Sequence, residues 1–258
     1  MKNFKNYVKK IPFAAGFYKK MTGWCKYFSF IKDYHYFKSL QKTARFIMRW
    51  RDRYPCLDEG SGTADFDKHY IYHTAWAARI LRKINPASHI DISSYIYFST
   101  IMSAFMPVKY YEYRPRNIKL SGFTSHYADL LSLPFKDESI KSISCMHVVE
   151  HIGLGRYGEA MDPDADIKAI KELKRVLALG GELLFVVPLG EARIMFNAHR
   201  IYSYEHIMEY FKELELREFS LIPDDMAHED FIKDASPELV KGQRYACGCF
   251  WFRKKKND

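Results

Sequence analysis

From residue 69 onward the chain switches repeatedly between helical and strand periodicity. HYIYHTAWAARILRKI repeats its apolar positions at spacings of three and four and predicts a helix over 69–84, stopped by Asn85 and Pro86. SHIDIS follows as a short strand, and a helix is expected near 95–105. VKYYEY at 108–113, a stretch near 122–128 and SIKSISCM at 139–146 read as three further strands. Asp162 before Pro163 supplies an acceptor and a first-turn proline for a helix running to Leu179, where Gly180 and Gly181 are expected to end it. They lead into ELLFVVP, an apolar strand bounded by Pro188. A helix near 203–213 and two last strands, LELREFSLI and YACGCFWF, complete the pattern. Strands separated by helices imply an α/β fold with a mostly parallel sheet covered on both faces, and the final pair, with no helix pattern between them, fits an antiparallel edge.

The first segment has a different texture. Phe4, Tyr7, Val8, Ile11, Ala15 and Tyr18 fall near helical spacing, interrupted at Pro12 and Gly16. Phe17, Met21, Trp24, Phe28 and Ile31 then recur at three and four with lysines between them, and Phe37, Leu40, Ile47 and Trp50 extend the series. Two amphipathic helices joined near Pro12–Gly16, and a third after them, are expected. EGSGTADFD at 59–67 is small and polar and reads as a linker or domain entry, so the expected organisation is a basic helical segment over 1–60 and an α/β domain over 61–258.

Charge sharpens that division. The 258 residues carry 40 Lys and Arg against 31 Asp and Glu, a formal +9. Residues 1–54 hold 14 basic side chains and two acids, Asp33 and Asp52, while the remainder holds 26 basic against 29 acidic. The segment is +12 and the rest −3, so a fold that wraps nucleic acid with its whole surface is disfavoured. The arm's lysines and aromatics suit docking on the protein's own core or adsorption to an anionic membrane surface; nucleic acid fits less well.

Five cysteines are an odd number in a chain too long to need disulfide staples, and Cys247 and Cys249 stand at CxC rather than CxxC spacing. A reducing, cytoplasmic setting is expected. No run of about 18 uninterrupted apolar residues predicts a membrane span, and the lysine-rich start lacks the uncharged core of a signal peptide.

In open α/β sheets ligands bind beyond the carboxyl ends of the strands, so the residues just after each strand carry the chemistry. After the first strand come Asp91, Ile92, Ser93 and Ser94, without the glycine that close approach of a nucleotide-like cofactor favours. Glu112, near the end of the second strand, is placed to accept both hydroxyl protons of a ribose, or to pair with Arg114 or Arg116. Asp129 after the third could meet an adenine amine while Leu130 packs on the ring, or cap a turn. His147, Glu150 and His151 match HxxEH, but that zinc motif needs both histidines on one helix face, and here a strand precedes and glycines follow. No metal is expected. Gly153, Gly155 and Gly158 match GxGxxG too far from the strand and helix a dinucleotide loop requires, and are expected as a flexible loop over the site. Asn197, His199, Arg200 and Tyr202 cluster after an apolar strand, where polar groups can orient a hydroxylated or anionic substrate. His69, Tyr70 and His73 either line a cavity or pack as ordinary aromatics.

The order SHIDIS, VKYYEY, YADLLSLPF, HVVEHI and LGGELLFVVP resembles a class I S-adenosylmethionine-dependent methyltransferase. More narrowly, HVVEHIGLGRYG, DPDADIKAIKEL and FNAHRIY resemble an uncharacterised methyltransferase-like family known as a domain of unknown function, over about residues 65–222. The resemblance implies a Rossmann-like seven-stranded sheet with an antiparallel edge and S-adenosylmethionine across the strand ends. It implies Asp91 and Ser93 at the methionine side, Glu112 at the ribose, Asp129 and Leu130 at adenine, and His147 after the fourth strand. His151 is then the candidate general base at an acceptor hydroxyl, joined by His199, with Asn197, Arg200 and Tyr202 toward a small or sugar-like acceptor. The competing reading is a binding or scaffold protein that kept the fold and lost the cofactor, as the glycine-free turn allows.

Overall fold

A computed structural model of the chain describes residues 12–41, 47–57, 66–224 and 230–256. The chain falls into two compact units, residues 1–66 and 67–258.

Among the described residues of the first unit, one helix, α1 (Pro12–Leu40), runs through both the Pro12–Gly16 stretch and the Phe17–Ile31 series; the expected helix over Phe4–Ile11 lies outside the described residues. Pro12 is the first described residue of α1, a position where a proline forfeits no helical hydrogen bond. Gly16 lies inside the same helix, and Trp50 belongs to a short 3-10 turn at Trp50–Asp52. Phe4, Tyr7, Val8 and Ile11, and most of the expected linker, lie outside the described residues. The aromatics of α1 are not confined to one stripe. Tyr34 and Phe30 face the Trp50 ring at 4.9 and 6.4 Å, while Trp24, Phe28 and Phe37 are exposed.

The second unit is a seven-stranded sheet: β1 (His89–Asp91), β2 (Val108–Glu112), β3 (Phe123–Tyr127), β4 (Ile140–Met146), β5 (Leu177–Leu189), β8 (Leu214–Ile222) and β9 (Ala246–Lys254). Its order is β3-β2-β1-β4-β5-β9-β8. The first five strands in that order run parallel, and β9 runs antiparallel between β5 and β8. The reversed strand is thus an insertion one place in from the edge. The helices are α2 (Lys68–Ile84), α3 (Ile96–Met102), α4 (Ala165–Val176) and α5 (Tyr204–Tyr210). Two strands, β6 (Arg193–Met195) and β7 (His199–Ile201), form a small hairpin where the sequence suggested only a polar loop.

Strand alternation builds two cores. Leu183, Phe185 and Val187 of β5 pack with α4 and α5, while Leu184 and Val186 pack with α2 and α3. Each such fully buried side chain contributes about 1.5–3 kcal/mol of transfer free energy. On α2 the stripe Trp76, Ala77, Ile80 and Leu81 is buried, and His69 and His73 continue it toward the helix N-terminus. Imidazoles therefore arrive at the same depth as core aliphatics.

Two boundaries differ from expectation. Asp162 does not cap α4; its carboxylate accepts the Asp164 N–H at 3.0 Å in a local turn, and the helix opens at Ala165. At the other end α4 stops at Val176, and Gly180 and Gly181 lie inside β5, where the register against β4 shifts between Ile140 and Ser142. Gly180 has a φ of 72°, and a Cβ on Gly181 would stand 2.7 Å from the Ala178 carbonyl oxygen.

Candidate active site

The sheet order reverses between β1 and β4, and that reversal opens the crevice in which this architecture holds ligands. Asp91 ends β1 with no solvent exposure, and its carboxylate accepts from the hydroxyls of Ser93, Ser99 and Ser144, the last at 2.5 Å. Burial pushes the Asp91 carboxyl up, and the three hydroxyls pull it back. Ile92 and Ser94 also donate their N–H groups to the Ser144 and Met146 carbonyls. The turn without glycine is thus fixed by serine hydroxyls and by the edge of β4.

Tyr110 connects this turn to the next strand. Its hydroxyl donates to the Ser93 carbonyl at 2.8 Å and lies 3.4 Å from Glu112 Oε2 at the end of β2. Ala128 donates to the Glu112 carbonyl, Leu130 is buried, and Asp129 is half-buried with its carboxylate accepting the Leu131 N–H at 2.9 Å. Ser93, Glu112 and Asp129 therefore belong to one connected rim.

Beyond β4, His147 adopts a φ of 54° and is buried. The turn that follows, Val149–His151, is 3-10 rather than α-helical, so His147 and His151 do not form a helix-borne HxxEH pair. His147 Nδ1 instead donates to Glu150 Oε1 at 2.8 Å, and His147 Nε2 faces Cys247 Sγ at 3.5 Å. Burial pushes the Cys247 thiol well above its ordinary value. It also opposes the His147 imidazolium, but Cys247 and Glu150 outweigh burial and lift that ring to about 10. His69 and His73 come in from α2, their rings 5.9 and 5.0 Å from that of His147. Burial lowers both, His69 to about 4.

His151 is partly exposed, and its Nδ1 donates to the Ala198 carbonyl at 2.7 Å, which leaves a lone pair on Nε2. His199 stands with its ring 6.1 Å from that of His151 and 5.1 Å from that of Tyr245, and burial lowers its pKa. The other hairpin residues do not gather at one surface. Asn197 is exposed, whereas Arg200 is buried, donates to the Ile152 and Pro163 carbonyls, and lies 3.5 Å from Asp166. Tyr202, also buried, donates to Asp166 at 2.9 Å. Arg200 and Tyr202 hold the hairpin to α4, and neither has its polar end turned outward.

The glycine loop is closed on itself. Glu159 accepts the N–H groups of Gly155 and Tyr157 at 2.9 and 2.8 Å, and a Cβ on Gly153 would stand 2.2 Å from the Asp162 carbonyl oxygen. Gly153 serves close approach to α4, whereas a Cβ on Gly158 would meet nothing within 4 Å. Glu150, Tyr245 and Cys247 join the site without having stood out as its members in sequence; only the buried i, i+4 pair His69 and His73 gave advance notice that polar groups converge here.

The fold has solved counterparts. The N-methyltransferase NodS from Bradyrhizobium japonicum WM9, in complex with S-adenosyl-L-homocysteine, is 16% identical, with a TM-score of 0.52 over 84% of this chain and 97% of its own. This is the class I methyltransferase fold. The YcgJ protein of Bacillus subtilis shares it, at 13% identity and a TM-score of 0.50 over 72% of this chain and all of its own. A family model described as a Caenorhabditis protein of unknown function, DUF268, matches residues 109–218, a span that runs from β2 of the methyltransferase sheet into β8. No curated protein matches the sequence.

Proposed function

We propose that the chain is an S-adenosylmethionine-dependent methyltransferase that transfers a methyl group to a hydroxyl of a small or sugar-like acceptor. One observation carries the reading: the strand reversal at β1 and β4 gathers the Ser93 turn, Glu112 and Asp129 into one rim, next to a group of histidines after β4. On that rim Glu112 accepts from the ribose hydroxyls, Asp129 meets the adenine amine and Leu130 packs against the ring. Ser93 borders the methionine portion, and Asp91, bonded wholly within the protein, positions Ser93. His147 closes the same end of the crevice.

Methyl transfer needs in-line placement of acceptor oxygen and sulfonium, and a base that takes the hydroxyl proton. His151 fits the base, because the Ala198 carbonyl fixes its proton on Nδ1 and leaves the lone pair on Nε2, 3.8 Å from Glu150 Oε1. His199 assists as a second imidazole, and Asn197 offers an exposed polar group to the acceptor. Arg200 and Tyr202 support that hairpin from within. A second reading, a scaffold that has given up the cofactor, is favoured by one feature, the turn after β1 filled with serine hydroxyls.

The arm, a cytoplasmic and peripheral attachment in this account, brings the domain to an anionic membrane surface. Trp24, Phe28 and Phe37 stand exposed among its lysines, and no helix among the described residues is long and apolar enough to cross a membrane.

The enzyme reading is tested by incubating the protein with methyl-labelled S-adenosylmethionine and a panel of hydroxylated acceptors. Transfer should occur, and His151→Ala should lower it by about a hundredfold with cofactor binding retained. Cofactor binding with no transfer to any acceptor, or transfer indifferent to His151, would count against the assignment.

A further inference from the structure

His69, His147 and Cys247 are separated by 78 and 100 residues, yet each offers one ligand atom within 4.8 Å of the other two. All three are buried. From this convergence we infer a binding site for a divalent transition metal, zinc by preference, held by these three side chains. Two imidazoles and a thiolate are a borderline-soft donor set that suits zinc and does not suit calcium or magnesium.

Three features beyond proximity support it. His147 donates from Nδ1 to a Glu150 carboxylate that is itself fully buried, so Nε2 is the ring nitrogen turned toward Cys247 and His69. A carboxylate behind a histidine in this way is the usual support of a metal-bound imidazole. His73, one turn from His69 on α2, donates from Nδ1 to the His69 carbonyl at 2.6 Å and leaves Nε2 buried with no hydrogen-bond partner. Glu150 Oε2 is likewise buried without a partner. Polar atoms left unpaired at this depth are costly, and their concentration around one point marks a place built for a charge. Metal binding displaces the protons held at Cys247 Sγ and His147 Nε2, 3.5 Å apart, and leaves a thiolate and a neutral imidazole as ligands. Three protein ligands leave the fourth position of a tetrahedral zinc site to His73, water or a bound hydroxyl.

The test uses the full chain without a metal-binding tag, stripped with a chelator and titrated with zinc against a chromophoric competitor, and in parallel with cobalt. One equivalent should bind, and the cobalt form should show a thiolate-to-cobalt charge-transfer band. Cys247→Ser should abolish that band and weaken zinc binding by more than about tenfold, whereas Cys25→Ser with Cys56→Ser should change neither. Should Cys247→Ser lose its circular dichroism, His69→Gln takes its place, with the same loss of zinc affinity expected. Failure of the folded wild-type protein to bind a stoichiometric metal, a band that survives Cys247→Ser, or unaltered affinity in His69→Gln overturns the assignment.

Discussion

His89 sits almost fully buried between two serines, its Nδ1 2.8 Å from Ser142 Oγ and its Nε2 2.8 Å from Ser144 Oγ. Ser144 donates its own proton to Asp91, so it accepts from Nε2–H, and Nδ1 accepts from Ser142. The chain of bonds needs a neutral ring, and burial lowers His89 to about 3. Because this folded value lies below the ordinary one of about 6.5, the contribution of His89 is complete above about pH 6.5. It is lost as pH falls toward about 3, at about 1.4 kcal/mol per unit. Urea midpoints of wild type and His89→Gln, compared from about pH 7 down to about pH 4, should draw together; a constant separation would refute the neutral-ring network. Asp166 answers both Arg200 and Tyr202 in the interior, so Asp166→Ala should cost about 3 kcal/mol in chemical denaturation. A loss below about 1 kcal/mol would mean that the hairpin has other anchors. At this scale, the placement of residues at or just beyond the carboxyl ends of strands was legible, since Asp91, Glu112 and His147 owe their positions to the sheet. The partnership of His147 with Cys247 and His69 was not, because residues 78 and 100 positions apart meet only through strand order and helix docking.

At the scale of elements, the strand and helix alternation was readable through most of the second unit; the β6–β7 hairpin was missed, and boundary errors fell at glycines and beside Pro163. Gly180 and Gly181 resemble a helix stop, yet the helix had already ended and the pair makes a bulge at the start of β5. Gly16 resembles an interruption, yet it lies inside α1. In each case the local signal is real, and the surrounding structure decides where the element ends. The GxGxxG match teaches the same distinction between motif and use. Gly153 has a φ of 79° and lies against the first residues of α4, so Gly153→Ala should destabilise the protein by about 2 kcal/mol or more while leaving cofactor affinity unchanged. A selective loss of cofactor binding at unchanged stability would return the loop to a phosphate-cradling role.

At the scale of the molecule, the net charge of +9 conceals an arm of +12 and a remainder of −3. The full chain should sediment with vesicles containing anionic lipid and be released by salt, because screening shortens the reach of its lysines. Replacing Trp24 and Phe28 with alanine should weaken that binding; equal sedimentation with neutral vesicles would contradict the electrostatic account. The remainder owes its proposed activity to the strand reversal and its rim, and calorimetric titration of the full chain with S-adenosylmethionine interrogates that rim directly. One saturable site is expected, weakened at least about tenfold, or about 1.4 kcal/mol, by Glu112→Ala. No heat at millimolar cofactor, in a protein shown to be folded, would contradict the methyltransferase account.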